Sequence, residues 1–266
     1  MTSPNAVPEP GPASTVASTA SAAPRPGRAR TARERARVEL TREIKEEARR
    51  QLAAAGSDAL SLRAVAKELG MVSSALYRYY PSRDDLLTAL IIDAYDALGD
   101  AAEKAIASAP PPASAAAGLP APVARDRWIA ACHAIRDWAR SHPHEYALIY
   151  GSPVPGYRAP ETTIGPASRV PLAFIGILAS AAASGELAVT PPPADDGLAA
   201  QAAALAAALG DPGVPPQALV NAVIAWTQLF GMISFELFGQ FVGSFDPTDA
   251  FFAHAVVRLA ELAGLR

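Results

Sequence analysis

The stretch SLRAVAKELGMVSSALYRYYPSRDDLL, residues 61–87, decides the fold of this chain. Ser61 is a hydroxyl N-cap for a short helix predicted over residues 62–69, whose apolar side chains recur at helical spacing. Gly70 ends that helix, and a second short helix is predicted over residues 73–80. Two short helices joined by a tight, glycine-containing turn predict a helix-turn-helix.

The second short helix presents hydrogen-bonding groups on its outer side. If Leu76 and Tyr80, four residues apart, pack inward, the other side chains of the helix face outward. Such groups suit the major groove of DNA, where arginine reads guanine and hydroxyls reach phosphate or base edges. The alternative is a surface helix whose polarity is incidental. The outer set combines small hydroxyls, an arginine and two phenols: Ser73, Ser74, Ala75, Tyr77, Arg78 and Tyr79.

Residues 61–87 resemble the TetR family of transcriptional regulators. Met71 stands where valine is usual in the family and Tyr80 where phenylalanine is usual, and both keep an apolar body. The resemblance implies an N-terminal DNA-binding domain and a C-terminal domain that binds a ligand. The residues that carry it are Ser61, Val65-Ala66, Leu69-Gly70-Met71, Leu76-Tyr77-Arg78-Tyr79-Tyr80, Ser82, Arg83 and Leu86-Leu87.

The resemblance also implies roles for individual residues of the motif. Arg63 is expected to reach the DNA backbone or a base, and Arg78 is the strongest candidate for a base contact. Three small residues are expected over base edges: Ser73, Ser74 and Ala75. Three larger side chains are expected on phosphates: Tyr77, Tyr79 and Arg83.

The charge of the chain is unevenly distributed. The 266 residues carry a net charge of −3, but residues 25–90 hold 14 basic and 9 acidic side chains, a net of +5. This asymmetry indicates that only the N-terminal part meets a polyanion. Six arginines between positions 25 and 37 either touch phosphate or form a solvated helix start. Residues 1–27, rich in Ala, Ser, Thr and Pro, are predicted to be a disordered tail.

Apolar residues recur at helical spacing through the rest of the chain, and no segment alternates with a period of two. This pattern predicts an all-α fold. We expect a three-helix DNA-binding domain with a helix-turn-helix over residues 28–82. A larger helical domain for effector binding and dimerisation is expected over residues 83–266.

A long helix predicted over residues 216–242 is apolar on two sides, and one of these sides requires a partner. Together with the last helix, this side predicts a homodimer, which suits a two-fold symmetric, palindromic DNA site. The alternative is a monomer with a thick core. The predicted interface comprises Val220, Ile224, Gly231, Phe235, Phe238, Phe252, Val256 and Leu259.

Aromatic residues in the middle of the chain suggest a cavity, and the resemblance implies an effector site there. Aromatic side chains at helical spacing are also typical of an ordinary core, so both interpretations stay open. The effector is expected to be small and largely apolar. The candidate pocket residues are Trp128, His133, Trp138, Tyr146, Tyr150, Phe174, Trp226 and Gln228.

Several classes of protein are excluded by the sequence pattern. The single cysteine, Cys132, cannot form an internal disulfide, and the longest nearly apolar run, residues 170–183, is shorter than the roughly 20 residues of a membrane span. A soluble cytoplasmic protein is therefore expected. No nucleophile elbow, phosphate-binding glycine loop or zinc-ligand spacing occurs, so we expect no enzyme, cofactor or metal.

The sequence thus predicts a TetR-type regulator with three partners: double-stranded DNA, a second copy of itself and a small-molecule effector. A repressor is favoured because the family consists mostly of repressors, although no residue separates it from an activator. The alternative is a helical interaction or ligand-binding protein without sequence-specific DNA binding.

Overall fold

The computed structural model describes residues 26–109, 123–188, 195–210 and 212–266, apart from the side chains of residues 26–30 and 58. Ten α-helices and no β-strand lie in these ranges, with one isolated bridge between Leu187 and Leu265. The predicted all-α fold is confirmed. The helices are α1 (Pro26–Ala55), α2 (Leu62–Glu68), α3 (Ser73–Leu76), α4 (Arg83–Ser108), α5 (Val123–Ser141), α6 (Pro143–Tyr150), α7 (Ile164–Ser184), α8 (Asp196–Ala208), α9 (Pro216–Leu237) and α10 (Asp249–Leu262).

The described chain contains two compact units that divide within α1, between Arg42 and Glu43. The helix-turn-helix and the larger helical part belong to one unit, which runs from Glu43 to the last residue. The domain boundary at residues 82/83 therefore remains a prediction. The predicted tail, residues 1–27, lies outside the described residues except for its last two, which open α1.

The turn between α2 and α3 follows from its glycine. Gly70 has a φ of +64°, a conformation that residues with a Cβ rarely adopt. The amide of Met71 donates to the carbonyl of Ala66 at 2.8 Å, which satisfies a carbonyl at the end of α2. The chain can therefore reverse within three residues and begin α3 at Ser73.

The regular part of α3 is shorter than the predicted helix over residues 73–80. It ends at Leu76, after which the amide of Tyr79 donates to the carbonyl three residues back at 2.8 Å. Pro81 ends the whole segment, because a proline disfavours the α conformation of the residue before it, here Tyr80. The recognition segment is thus one α-turn followed by a tighter turn.

The core of the larger part lies among α4, α5, α7, α9 and α10. Its largest fully buried side chains include Trp128, Tyr146 and Phe252. The last long helix, α9, ends at Leu237 rather than at the predicted Val242. Gly239 has a φ of +75°, and the amide of Gln240 donates to the carbonyl of Phe235 at 2.8 Å, so this glycine caps the helix.

A buried arginine connects three helices of the core. Arg136 on α5 is 4% exposed, and its Nε and Nη2 each donate to the Glu236 carboxylate of α9 at 2.7 Å. Its Nη1 donates to Asp249 at 2.9 Å, its Nη2 also donates to the Thr248 hydroxyl at 2.9 Å, and its guanidinium lies 4.7 Å from the ring centroid of Phe252. This network joins α5 to α9 and to the start of α10.

A second arginine joins α7 to α4. Arg169 donates to Asp96 at 3.1 Å and to Glu103 at 2.7 and 3.0 Å, and it also pairs with Asp100. Its hydrogen bonds to carboxylates, above all those to Glu103, raise the pKa of the guanidinium. A Cβ at Gly99 would lie 2.9 Å from the Arg169 Nε, so the glycine leaves space for this side chain to cross α4.

Two described helical stretches are long and apolar enough to cross a membrane: Glu161–Ser184 and Pro216–Leu237. The apolar run of residues 170–183 covers only part of the first stretch, because α7 begins before it. The second stretch lies outside that run. Both stretches also carry core side chains, such as Phe174 and Leu229, and core helices of soluble proteins meet the same criterion.

Candidate DNA-recognition surface and effector cavity

Two buried side chains hold the recognition segment in place. Leu76 is fully buried and Tyr80 is 8% exposed, as their spacing of four residues predicts. Burial, with the nearby charge of Asp93, raises the pKa of Tyr80 to about 12. The phenol therefore stays neutral, and the segment between these two anchors keeps a fixed outer side.

The predicted DNA-contacting residues lie on this outer side to different degrees. The side chains of Arg63, Ser74, Tyr77 and Arg78 are exposed. Ser73, Ala75, Tyr79 and Arg83 are half-buried. One hydroxyl, one phenol and two guanidinium groups are thus open to solvent on α2 and the recognition segment, a donor-rich set that suits phosphates and base edges.

Arg83 has a structural contact that the sequence did not predict. Its Nη2 donates to the main-chain carbonyl of Ser57 at 2.7 Å, and its Nη1 lies 3.6 Å from Asp84. Ser57 belongs to the short 3-10 turn after α1, so Arg83 ties the start of α4 to that turn. A phosphate contact by Arg83 remains a prediction. It would use the N–H groups of the guanidinium that do not donate to Ser57.

Ion pairs connect α1 to α4 and α6. Asp93 of α4 accepts from Lys45 Nζ at 2.7 Å and from Arg49 Nη2 at 2.7 Å. The Nε of Arg49 also lies 3.5 Å from Glu145 of α6. Lys45 and Arg49 lie on the part of α1 that belongs to the larger unit, so these ion pairs fix that part to α4 and α6.

A partly enclosed cavity of about 270 Å³ lies between α7, α8 and α9. Its wall is almost wholly apolar, and Ser168 is the lining residue with a polar side chain besides the mainly apolar indole of Trp226. The Ser168 hydroxyl donates to the carbonyl of Ile164 at 2.7 Å. The indole nitrogen of Trp226 is buried and has no acceptor among the described residues. The lining residues are Ser168, Pro171, Leu172, Phe174, Ile175, Leu205, Leu209, Ala222, Val223 and Trp226.

Only two of the predicted pocket residues, Phe174 and Trp226, line this cavity. Trp128 packs on the far side of the wall, with its ring centroid 4.5 Å from that of Phe174. Gln228, another candidate pocket residue, is exposed on α9 and does not line this cavity. It follows Trp226 by two residues, about 200° around the helix, and therefore points away from the cavity.

The other predicted pocket residues belong to neighbouring packing. Tyr146 is fully buried, and its hydroxyl donates to the carbonyl of Phe230 at 3.0 Å and lies 2.9 Å from the Ser234 hydroxyl. Its donor is therefore satisfied within the chain. Trp138, Tyr150 and His133 pack against His142, Phe230 and Phe252, respectively, and do not line the cavity between α7, α8 and α9.

The predicted dimer residues divide into two groups. Ile224, Phe235 and Phe238 are 43%, 54% and 49% exposed, Gly231 is also exposed, and Val220 is half-buried. They form an apolar stripe along one side of α9. In contrast, Phe252, Val256 and Leu259 are buried in the core of their own chain, so their prediction as interface contacts is corrected. The apolar face of α10 is used to cover α5 and α9 rather than a partner.

Comparisons with known proteins agree with this architecture. The family model described as bacterial regulatory proteins, tetR family, matches residues 44–90. The model described as the tetracyclin repressor-like C-terminal domain matches residues 128–259. HTH-type transcriptional regulators of Mycobacterium bovis and Mycobacterium tuberculosis are 38% identical over 235 residues, which covers 86% of this chain and 94% of theirs.

Solved structures show the same fold. The crystal structure of the protein SCO4313 matches with a TM-score of 0.65 and 35% identity, over 86% of this chain and 98% of that one. A TetR family transcription regulator from Marinobacter aquaeolei VT8 matches with a TM-score of 0.56 and 18% identity, over 87% of this chain and all of the other. The second likeness concerns the fold alone. From its helix-turn-helix, its C-terminal domain and its relatives, this chain belongs to the TetR family of transcriptional regulators, which bind DNA and are not enzymes.

Proposed function

We propose that this regulator is a cytoplasmic repressor that binds a palindromic operator as a homodimer and is released by a small, largely apolar effector. The exposed side of the recognition segment carries this proposal. Ser74, Tyr77 and Arg78 are solvent-accessible on a segment that Leu76 and Tyr80 anchor in the core. Because these anchors hold the recognition segment in place before binding, its exposed side loses little conformational entropy when it binds DNA.

The exposed groups divide between sequence reading and positioning. Arg78 is the proposed base contact, since a guanidinium can donate two hydrogen bonds to guanine. Ser73, Ser74 and Ala75 are small enough to let the segment approach base edges. The proposed phosphate contacts are Tyr77, Tyr79 and Arg83, and Arg63 on α2 is the proposed contact to the flanking backbone or a base.

The apolar stripe on α9 supports a homodimer. Its exposed members recur at steps of three, four or seven residues and end in two phenylalanines, Phe235 and Phe238. Two more apolar side chains, Val242 and Phe245, follow in the next loop and are 75% and 56% exposed. Exposed apolar patches of this kind mark interaction surfaces. A two-fold pairing of α9 would give the two reading surfaces the symmetry of a palindrome.

Helix α4 is the proposed connection between effector and operator. It begins directly after the recognition segment, and Asp93 on it holds Lys45 and Arg49 of α1. Further along, its carboxylates hold Arg169 of α7, the helix that lines the cavity. An effector with differential affinity for the two states would shift the spacing of the reading surfaces.

Selection from a random duplex pool with the purified full-length protein tests the proposal. We expect enrichment of a palindrome and a steep loss of affinity as salt rises, because lysine and arginine contacts release counterions. Without any enriched sequence from a folded protein, the alternative of a helical ligand-binding protein without specific DNA binding would gain support. A promoter reporter carrying the selected palindrome then distinguishes repression from activation.

A further inference from the structure

The positive charge of the N-terminal part of the chain lies mainly in the first turns of α1. Residues 26–42, here called the basic arm, hold six arginines and two glutamates, a net charge of +4. They are the part of α1 that belongs to the first compact unit. Residues 43–90, which include the helix-turn-helix, hold seven basic and seven acidic side chains and are neutral overall. Any net attraction of phosphates to residues 26–90 therefore comes from the basic arm.

The described side chains of the basic arm are open to solvent. All nine side chains of residues 31–39 are exposed, and the first fully buried side chain of α1 is Ile44. The guanidinium groups of Arg33 and Arg35 have no hydrogen bond or ion pair within the described part of the chain. A helix that is polar all round gains nothing from packing against a core. These two groups are therefore available to a partner outside the chain.

The placement of the two arginines suits a groove with phosphates on both sides. Arg33 and Arg35 are two residues apart, which places them about 200° apart around the helix. A helix with its side chains is about 10–12 Å wide, and the major groove of B-DNA is about 12 Å wide. Guanidinium groups on opposite sides of one helix can thus reach phosphates of both strands.

An anionic membrane surface fits the basic arm less well than DNA does. A helix that lies on a membrane buries one apolar face among the lipids and keeps its charges on the other. In residues 28–39, Val38 is the only large apolar side chain, and the arginines lie on both sides of the helix. The pattern therefore favours a polyanion that surrounds the helix over a flat anionic surface.

We propose that the basic arm binds phosphates of the DNA duplex that the helix-turn-helix recognises, without reading its sequence. The proposal rests on the proposed function and adds a second DNA contact to it. Arginine–phosphate pairs release counterions, so the basic arm sets the affinity and its salt dependence, while Arg78 and its neighbours set the sequence preference. The match to the tetR family model begins at residue 44, so this contact lies outside the matched DNA-binding region.

The experiment compares the salt dependence of DNA binding in three full-length variants. Arg33→Gln/Arg35→Gln removes two charges and keeps residues of good helix propensity. Arg33→Lys/Arg35→Lys keeps both charges. Lys104→Gln/Arg266→Gln is the matched control, because it removes two exposed charges from outside the N-terminal part. Each protein is titrated with the selected palindrome and with a duplex of random sequence, at salt concentrations from about 50 to 200 mM.

The expected result follows from counterion release. Each lost phosphate contact should reduce the slope of log affinity against log salt by about 0.9, so a homodimer with two substituted arms should lose about 3.6. Between 50 and 200 mM salt, the affinity of the glutamine variant should therefore fall about a hundredfold less than that of the unmodified protein. The ratio of the affinities for palindrome and random duplex should change by less than about twofold, because both carry the same phosphates. The lysine variant and the control should keep the original slope.

Several outcomes would overturn the proposal. They are an unchanged slope in the glutamine variant, an equal loss of slope in the control, and a loss of the preference for the palindrome. Binding to phosphatidylserine vesicles that depends on Arg33 and Arg35, together with an unchanged slope on DNA, would assign the basic arm to a membrane surface instead.

A second measurement decides the matter if the glutamine variant does not fold. Phenylglyoxal modifies accessible arginines, and mass spectrometry locates the modified residues. Bound duplex should protect Arg33 and Arg35 in the unmodified protein, and equal modification with and without DNA would contradict the contact. If no palindrome is enriched, the proposed operator binding fails, but the slopes on the random duplex still decide whether the basic arm binds phosphates.

Discussion

Replacement of Arg136 by methionine should destabilise the protein strongly. The arginine is 4% exposed, and its principal partner, Glu236, has a side chain that is 13% exposed. Methionine retains much of the apolar volume but removes every donor. Glu236 would then remain as a nearly buried carboxylate between α5, α9 and the start of α10.

The size of the effect follows from what remains around Glu236. Loss of one partner of a buried ion pair typically costs 3–5 kcal/mol. The Thr248 hydroxyl still donates to Glu236 at 2.8 Å, and Arg140 lies 3.8 Å from it, so the loss should lie at the lower end. Asp249, whose side chain is 65% exposed, adds little because water can solvate it. We expect Arg136→Met to lower the free energy of unfolding by about 3 kcal/mol.

Urea unfolding at pH 7, followed by tryptophan fluorescence at one protein concentration, measures this change. The double variant Arg136→Met/Glu236→Leu is the control. It removes both charges, so at least half of the lost stability should return. A loss below about 1 kcal/mol for the single variant, or no recovery in the double variant, would refute the assignment of a buried ion pair to Arg136.

The same network should make stability depend on pH. Burial of Glu236 acts to raise its pKa, but hydrogen bonds from Arg136 and Thr248 and the charges of Arg136 and Arg140 outweigh it, so the pKa lies below the ordinary 4.5. The folded state therefore binds fewer protons than the unfolded state. This contribution is present above about pH 4.5 and is lost as the pH falls through the lowered pKa. Arg136→Met should lose less stability on acidification than the unmodified protein.

Three further substitutions test the DNA-binding and dimer proposals. Arg78→Ala should reduce discrimination between the selected operator and its single-base variants by about 1–3 kcal/mol in competition assays, and an unchanged preference would contradict the base contact. Arg83→Ala should weaken all duplexes alike and lower the Tm, because the Ser57 carbonyl loses its donor; weakening confined to the operator would contradict a phosphate role. Phe235→Glu should halve the mass in light scattering, whereas Ile164→Glu, an equally exposed site on α7, should not; an unchanged mass for the α9 variant would place the interface elsewhere.

The helix-turn-helix could be predicted from the sequence because the signals that specify it are local. A cap, a glycine turn and two inward side chains four residues apart all lie within residues 61–87. Pro81 marks the end of this segment in the sequence, but periodicity does not show that the amides of Arg78 and Tyr79 bond to carbonyls three residues back. Local signals therefore predict the type of each element more accurately than the residue at which it ends.

The cavity could not be predicted in the same way. Periodicity shows that Trp128 and Trp226 each lie on an apolar face, but it does not show which face meets a neighbour of matching shape. The cavity exists because Leu205 and Leu209, at the end of an alanine-rich helix, reach across to α7 and α9. That arrangement depends on tertiary packing between segments far apart in sequence. The same reason explains why Phe252, Val256 and Leu259 of α10, predicted at the interface, pack in the core instead.

The buried ion pairs did leave a signal in the sequence. Arg136 follows Trp128 by eight residues and Cys132 by four, so it lies on the apolar stripe of α5. Glu236 likewise falls between Ile233 and Leu237. A charge on an apolar stripe rarely becomes buried without a partner, and two such charges of opposite sign indicate a pair. Attention to charges within apolar faces would have identified this network.

Arg169 is a second charge among apolar residues, and it pairs with carboxylates on α4. It is the only charged residue in α7, and across from it α4 presents Asp96, Asp100 and Glu103 on one helical side. The preceding residue, Ser168, lines the cavity, so a single turn of α7 touches both the cavity and α4. A ligand that shifts this turn would also displace Arg169, and with it the carboxylates to which it is bound. These ion pairs join α7 to α4, the helix that starts where the recognition segment ends, so α4 is the connection that the proposed effector release would use.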